Sequence, residues 1–187
     1  MNVAMKQANV KFTYHDYLLL PDDKRYEIVE GELLVVPAPC LNHQRILRKL
    51  GAAISIYAER KRIGEVFYPP CDVVLSMENV VQPDLLLVAN ERIGILTAAN
   101  VQGPPDLAVE ILSDATKQRD LNLKRKLYAR YGAREYWIVD PDAETIEVLL
   151  WSESGYAPAG VYAGTDRLSS PLLPELNIPL SEIFKKE

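Results

Sequence analysis

The sequence predicts a mixed-sheet α/β domain with helices on the faces of the sheet. Short apolar runs without polar alternation occur at residues 80–88, 107–112 and 135–140, and such runs are typical of strands that are covered on both sides. Two longer stretches, residues 42–62 and 117–131, place apolar side chains at helical spacing. Strand and helix patterns follow one another in the order α-ββ-α-βββ-β-α-ββ, so we expect a mixed sheet flanked by helices.

The first part of the chain is expected to supply a short helix, a hairpin and a long helix. Thr13 is suited to cap a helix that runs to Leu20. Residues 26–36 have the pattern of a β-hairpin that turns at a glutamate and a glycine. Residues 42–62 then form the long helix, and Asn42 is its expected cap.

The rest of the chain is expected to complete the sheet. Extended segments at residues 65–68 and 72–76 precede the apolar run 80–88. Residues 145–151 follow the strand at 135–140 after a short turn and should pair with it as a hairpin. The remaining residues predict a short strand, a loop and a terminal turn.

Composition narrows the function classes. The chain has 187 residues, of which 48% are hydrophobic and 25% charged, as in an ordinary globular protein, so we expect one domain over 1–187 with its core at about 24–152. No apolar run approaches the roughly 20 residues that cross a bilayer, and residues 1–6 lack the apolar region of a secretory signal. Two cysteines do not form a disulfide scaffold or a zinc site. We therefore expect a cytoplasmic protein with no membrane and no nucleotide cofactor as partner.

The distribution of charge favours a polyanionic partner although the net charge is −5. Residues 41–62 and 117–134 contain thirteen of the 21 basic residues and only two of the 26 acidic ones. Local potential decides whether a polyanion binds, so DNA is the expected partner; the alternative is a pair of solvated helix faces. The candidate nucleic-acid contacts are Arg45, Lys117, Arg119 and Lys126.

Two acidic residues lie in runs that should be buried. Asp84 falls within residues 80–88 and Glu110 within residues 107–112. A buried carboxylate is costly unless it is paired or binds a cation, and two of them on neighbouring strands repel each other. A divalent ion between them removes both costs, so Asp84 and Glu110 are the candidate ligands of Mg²⁺, with Mn²⁺ as a substitute. The alternatives are a turn-capping role for Asp84 and a buried arginine beside Glu110.

A lysine can reach the same place from the next helix. Glu110 lies three residues, about 10 Å, before the end of its strand. If the helix starts near Lys117 and runs back antiparallel, Lys124 lies seven residues in, again about 10 Å, and comes level with Glu110. Asp120 and Tyr128 share its helical face. A metal that activates water, together with an ammonium that stabilises charge on phosphorus, makes a phosphodiesterase.

The order of these motifs matches a known family. The motifs are residues 26–33, residues 37–39 with His43, Pro83 with Asp84, residues 105–113, Asp120, Lys124, Tyr128, Gly132 and residues 135–141. This series resembles the Uma-two family of restriction-endonuclease-like proteins, within the PD-(D/E)xK nuclease superfamily, and it covers nearly the whole chain. The resemblance implies a restriction-endonuclease-like fold, with a mixed central sheet flanked by helices and an N-terminal β-hairpin extension. It also implies Mg²⁺-dependent cleavage of DNA.

The resemblance assigns roles by position. Asp84 and Glu110 would bind the metal and Lys124 would be the catalytic lysine. Glu32, or with less support Glu27, would supply an additional acid from the hairpin.

Two further positions bear on activity. His43, at a helix start near the basic face, would contact phosphate, assist proton transfer or order the loop. The superfamily places its lysine two residues after the acid, and here that position is Leu112; in this family the lysine is thought to have moved to the following helix. The alternative is a catalytically inactive DNA-binding or assembly module. By analogy, an active enzyme would be a homodimer, because cutting two strands takes two sites.

Overall fold

The architecture is that of two sheets flanked by helices, as seen in a computed structural model that describes residues 10–185. The expectation about a secretory signal concerns residues 1–6 and lies outside the described residues. The helical elements are α1 Tyr14–Tyr17, α2 Leu41–Lys61, a 3-10 helix Asn90–Ile95, a π-helical segment Arg119–Lys124, α3 Arg125–Tyr131 and α4 Leu180–Phe184. The strands are β1 Arg25–Val29, β2 Glu32–Val36, β3 Gly64–Phe67, β4 Val73–Ser76, β5 Asn79–Val81, β6 Leu85–Ala89, β7 Val101–Gln102, β8 Leu107–Ile111, β9 Glu135–Asp140, β10 Thr145–Ser152, β11 Gly155–Ala163, β12 Arg167–Leu168 and β13 Ile178–Pro179.

The expected mixed sheet is the larger of the two principal sheets. Its strand order is β11-β10-β9-β8-β6-β3, and β8 and β9 are its parallel pair. A second sheet has the order β2-β1-β5-β4-β7, so the N-terminal hairpin is part of a five-stranded sheet rather than an isolated extension. The α/β fold class, with a mixed central sheet flanked by helices, is therefore confirmed, and the N-terminal hairpin belongs to a second sheet.

The apolar run at residues 80–88 is the reason for the second sheet. It forms two strands, β5 and β6, which belong to different sheets. Pro83 lies between them, and because proline has no N–H group it cannot continue a hydrogen-bonded ladder. Asp84 therefore precedes β6 instead of lying inside a strand.

Local sequence accounts for most of the element ends. Thr13 caps α1 and forms a capping box with Asp16, as expected, although the helix ends at Tyr17. The hairpin turns at Glu30 and Gly31, whose positive φ angles of 53° and 82° are those of a tight hairpin turn.

The cap of the long helix differs from the prediction. Cys40, in extended conformation, precedes α2 and offers no side-chain hydrogen bond, so Asn42 lies inside the first turn and is not the cap. The other predicted helix is present, but its first part is the π-helical segment. Such segments are rare in proteins overall, but those that occur are often found at functional sites.

Two apolar clusters pack on opposite faces of the larger sheet. Side chains alternate between the faces along each strand. Leu85 and Val109 face α2 and the C-terminal region, whereas Leu86 and Ala108 face the second sheet and α3. By the same alternation Glu110 points to the face of Ala108, between the two sheets.

None of the helices within residues 10–185 is both long enough and apolar enough to span a membrane. No observation here tests the prediction of one domain over 1–187, which stays a prediction.

Candidate active site

A cavity of about 440 Å³ opens where β6 begins and β8 ends, beside the start of α2. Four of the five predicted catalytic residues line it, namely Asp84, Glu110, Lys124 and His43. Chain segments that are far apart in the sequence therefore meet at one place.

The strand pairing places the two predicted metal ligands side by side. In the antiparallel pair of β6 and β8, Leu85 lies opposite Val109, so Asp84 comes level with Glu110. Asp84 Oδ2 accepts a hydrogen bond of 2.8 Å from the backbone N–H of Ile111. The side chain of Asp84 thus continues the ladder that Pro83 interrupts, and this fixes the carboxylate against β8.

Lys124 reaches Glu110 as the spacing predicts. Its Nζ lies 2.9 Å from Glu110 Oε1 and 2.8 Å from Glu27 Oε1. It is also 3.7 Å from Asp120 Oδ1, one turn earlier. The hydroxyl of Tyr128 donates a 3.1 Å hydrogen bond to the same Glu110 oxygen. Three carboxylates thus surround one buried ammonium.

The structure does not bring Glu32 into this cluster. Glu32 is exposed and is not among the residues that line the cavity. It lies on the edge strand β2, where its side chain reaches solvent, whereas Glu27 lies on β1 between β2 and β5 and is 1% exposed. Glu27 also accepts a 2.8 Å hydrogen bond from the backbone N–H of Gln82. The expected preference for Glu32 over Glu27 is therefore corrected: the hairpin acid of this site is Glu27.

His43 lies in the first turn of α2 and is 6% exposed. Its Nε2 is 3.1 Å from Asp84 Oδ2, and its Nδ1 has no hydrogen-bond partner among residues 10–185. The imidazole is therefore held against one of the two predicted metal ligands. Its place in the site is clear, and its role stays a prediction.

The four predicted nucleic-acid contacts lie outside the cavity lining. Arg45 and Lys126 are exposed. Lys117 pairs with Asp140 at 3.0 Å, and Arg119 Nη1 is 3.7 Å from Glu27 Oε2. Lys117 and Arg119 are thus partly neutralised by carboxylates of the protein itself. Contact with nucleic acid stays a prediction for all four residues.

The cluster has more carboxyl groups than cations. Glu27, Asp84, Glu110 and Asp120 lie around two cations, Lys124 and Arg119.

The titration behaviour of the buried groups reflects this imbalance. Burial raises the pKa of Glu110 well above its ordinary value, Lys124 opposes that rise, and the carboxylates of Asp120 and Asp84 add to it. Burial likewise raises the pKa of Asp120. For Lys124, burial lowers the pKa, but Glu110, Glu27 and Asp120 together raise it above its ordinary value. The lysine therefore stays charged, and the acids compete for a limited amount of positive charge.

Each predicted metal ligand keeps one unused oxygen. The hydrogen bonds of Asp84 all involve Oδ2 and those of Glu110 all involve Oε1, so Asp84 Oδ1 and Glu110 Oε2 accept none from residues 10–185. Within that part of the chain no three or more His, Cys, Asp or Glu side chains are grouped to hold a metal. An ion here would therefore rest on two carboxylates and water, a donor set that suits Mg²⁺.

Gln82 and Arg25 also line the cavity, and neither was singled out from the sequence. Gln82 directly precedes the Pro83–Asp84 motif, and this position was the available signal. Arg25, at the start of β1, also lines the cavity, and no sequence pattern distinguishes it from other basic residues.

A mixed sheet flanked by helices, with two acids level on neighbouring strands and a lysine in contact with one of them, defines a restriction-endonuclease-like protein. The comparisons agree. The family model described as "Putative restriction endonuclease" matches residues 13–181, so the chain belongs to the Uma2 family.

A solved structure has the same fold. The crystal structure of a "putative nuclease belonging to DUF820" from Anabaena variabilis superposes with a TM-score of 0.78 and covers 92% of this chain and 97% of its own. The two sequences are 22% identical, so this likeness shows the fold alone. None of the curated proteins matches the chain.

Proposed function

We propose that this protein is an Mg²⁺-dependent endonuclease that hydrolyses phosphodiester bonds of DNA. One observation carries the proposal: the ammonium of Lys124 lies 2.9 Å from Glu110 while Asp84 stands level with Glu110 on the next strand, all within one cavity. The family to which the chain belongs supports the nuclease class.

Asp84 and Glu110 would hold the metal. Their unused oxygens and the excess of carboxyl groups over cations support this assignment. Mg²⁺, or Mn²⁺ in its place, would lower the pKa of a bound water and withdraw charge from the phosphate.

Lys124 would act directly on the phosphate. An ammonium group has three N–H donors, and two of them are used by Glu27 and Glu110. The 3.7 Å distance to Asp120 is too long for a hydrogen bond, so one donor is available to a phosphate oxygen or to the attacking water. Because its other two hydrogen bonds fix the ammonium, little reorganisation is needed when charge develops.

The position of the lysine supports activity rather than loss of it. Leu112, which occupies the position of the superfamily lysine, is 5% exposed and belongs to an apolar cluster. Lys124, on the neighbouring helical segment, supplies the ammonium instead, because its Nζ contacts Glu110.

A second candidate is a catalytically inactive DNA-binding or assembly module. It is favoured by the contacts of Lys124, since an ammonium that neutralises three acids reduces the need for a metal. Isothermal calorimetry separates the two. An active enzyme should bind Mg²⁺ or Mn²⁺ more tightly than its Asp84→Asn variant, and an inactive module should show no difference.

Plasmid nicking tests the main proposal. We expect supercoiled DNA to be nicked with Mg²⁺ or Mn²⁺, and Asp84→Asn, Asp84→Ala or Lys124→Ala to slow nicking by about 10²–10³-fold or more, the usual loss when one charge-stabilising group is removed. Lys61→Ala is the matched control, because Lys61 is a half-exposed lysine paired with Glu175 near the far end of α2. Cleavage that survives all three substitutions would remove the site assignment, and circular dichroism checks that each variant is folded.

A second pair of variants tests which acid of the hairpin, Glu27 or Glu32, takes part in the site. Glu27→Gln should slow nicking because it removes a negative charge that holds the Lys124 ammonium in place. Glu32→Gln should leave the rate unchanged because Glu32 is exposed outside the cavity. The opposite result would restore Glu32 to the site.

We also propose that the active form is a homodimer, because a cut through both strands needs two sites. Light scattering of the purified protein tests this, and a monomer that linearises plasmid in one binding event would contradict it.

A further inference from the structure

Arg25 stands where three cavities meet. It lines the cavity of the acid cluster, a second cavity of about 800 Å³, and a third of about 330 Å³ beside α2. It lies two residues before Glu27 on β1, and alternate residues of a strand point to the same face. A half-buried guanidinium is therefore placed at the mouth of the candidate active site.

A chain of hydrogen bonds holds this guanidinium in place. Arg25 Nε donates to Gln82 Oε1 at 3.0 Å. The Nε2 group of Gln82 donates to Asp72 Oδ1 at 2.7 Å and to the Tyr17 hydroxyl at 3.1 Å. That hydroxyl in turn donates to Asp72 Oδ1 at 2.7 Å. Each group is oriented by the next one, so Arg25 is fixed before any ligand arrives, and this lowers the entropy lost on binding.

The outer nitrogens of Arg25 are unused. Within residues 10–185, Nη1 and Nη2 have neither a hydrogen bond nor an ion pair. Lys124, Arg119 and Lys117, by contrast, each have a carboxylate within 4.0 Å. A partly buried charge without a counter-ion is costly, and the paired N–H groups of a guanidinium match two oxygens of a phosphate.

Gln82 also links Arg25 to the acid cluster. Its backbone N–H donates to Glu27 Oε1, the oxygen that lies 2.8 Å from Lys124. One residue therefore sets the positions of both the guanidinium and the ammonium.

Charge decides on which side of Arg25 an anion can lie. The 800 Å³ cavity is bordered by Asp22, Asp23 and Asp72 against one further cation, Lys24, so it disfavours a phosphate. The acid cavity holds more carboxyl groups than cations. The 330 Å³ cavity has no acidic residue in its lining, so the favourable place for an anion is beside the guanidinium, where this cavity meets the mouth of the acid cavity.

We propose that Arg25 is a substrate-positioning residue that binds a backbone phosphate of the DNA strand next to the phosphate that is hydrolysed. This inference rests on the proposed nuclease function and adds to it a residue that anchors the strand. Arg25 holds the substrate in register while Lys124 faces the reacting group.

Salt-dependent DNA binding tests this proposal without cleavage. The affinity of a short fluorescent duplex is measured by anisotropy in EDTA over a range of salt concentrations. Loss of one phosphate contact lowers the slope of log K against log salt by about 0.9, and the loss of a charge-assisted hydrogen bond weakens binding by roughly tenfold to a hundredfold. We expect both changes for Arg25→Ala.

Three further variants make the test specific. Arg25→Gln can keep the hydrogen bond to Gln82 without the charge and should behave like Arg25→Ala. Arg25→Lys should keep the salt slope and lose part of the affinity, because an ammonium is not bidentate. Arg60→Ala is the matched control, since Arg60 is exposed and lies about 25 Å along α2 from His43 at helical rise. Thermal melting confirms that each variant is folded.

The outcomes separate this proposal from the function on which it rests. A wild-type protein that binds but never nicks plasmid, with the slope change present in Arg25→Ala, removes the hydrolytic function and leaves the phosphate contact standing. Nicking by the wild type with identical salt slopes in Arg25→Ala and Arg60→Ala overturns the role of Arg25 alone. Absence of any DNA binding by the wild type overturns both.

Discussion

Glu110 and Glu135 lie on neighbouring parallel strands, and both are buried, yet their surroundings differ completely. Glu135 is 0% exposed, and both its oxygens are satisfied by uncharged donors: Trp137 Nε1 at 2.8 Å, Ser170 Oγ at 2.7 Å and the Leu172 backbone N–H at 2.6 Å. Glu110 is 3% exposed and uses a single oxygen, which faces an ammonium and a hydroxyl.

Burial alone therefore does not identify a functional acid. Glu135 fastens the segment around Ser170 to the larger sheet, and its role is structural. Asp106 behaves in the same way: it is 0% exposed and accepts hydrogen bonds from the Ala89 backbone N–H and from Arg92. The mark of the candidate site is an unused carboxylate oxygen in a residue that lines a cavity.

The largest expected contrast is in stability. Glu135→Ala leaves three buried donors without an acceptor, each worth about 1–3 kcal/mol, so we expect a loss of about 3–5 kcal/mol in the free energy of unfolding. Glu110→Gln keeps an acceptor for Lys124 and Tyr128 and should change it by less than about 1 kcal/mol. Urea unfolding measures both, with the exposed Glu153→Ala as control. Equal losses in the two variants would contradict the structural assignment of Glu135.

Metal should stabilise the protein through Glu110 and not through Glu135. At a concentration one hundred times its dissociation constant, a bound ion adds about 2.7 kcal/mol, and in a protein of this size that raises Tm by about 5–10 °C. Glu110→Gln should lose this rise. Glu135→Gln should retain it even if its own Tm is lower. Calorimetric melting with Mn²⁺ and with EDTA gives both values, and a rise that persists in Glu110→Gln would exclude that residue as a ligand.

The smallest expected effect is on the pH dependence of the metal-free protein. Burial raises the pKa of Glu110 above its ordinary value of 4.5 in the folded state, so between the two values the folded state binds more protons than the unfolded state. The free energy of unfolding therefore falls as pH rises from 4.5 through the raised value. A difference of one pKa unit between the states corresponds to about 1.4 kcal/mol.

Urea unfolding of wild type and Glu110→Gln across this pH range measures that effect. The variant should lose part of the decline with pH, because Asp120, whose pKa is also raised by burial, still contributes. The exposed Glu153→Gln should follow the wild type. Identical curves for all three proteins would show that Glu110 does not titrate differently in the two states.

The site could be predicted where it depended on local pattern and spacing. The rise of a strand and a helix predicts that Lys124 lies level with Glu110, and the 2.9 Å contact confirms it. The resemblance favours Glu32 over Glu27, and local sequence does not correct this because it does not say which strand of a hairpin becomes the edge of a sheet. No sequence pattern points to Arg25, because what sets it apart is that its Nη groups have no partner within residues 10–185.

Local pattern is enough to predict the α/β class, the apolar runs that carry Asp84 and Glu110 and the helix that carries Lys124, because periodicity and chain rise act over a few residues. Only the folded chain shows that Asp84 and Glu110 lie level on paired strands, which buried acids keep a free oxygen, that Glu27 completes the cluster and that Gln82 connects Arg25 to it. Those features depend on contacts between segments far apart in the chain, such as the Gln82 side chain against Arg25 at the start of β1. No local pattern records which of the many possible long-range contacts the folded chain selects.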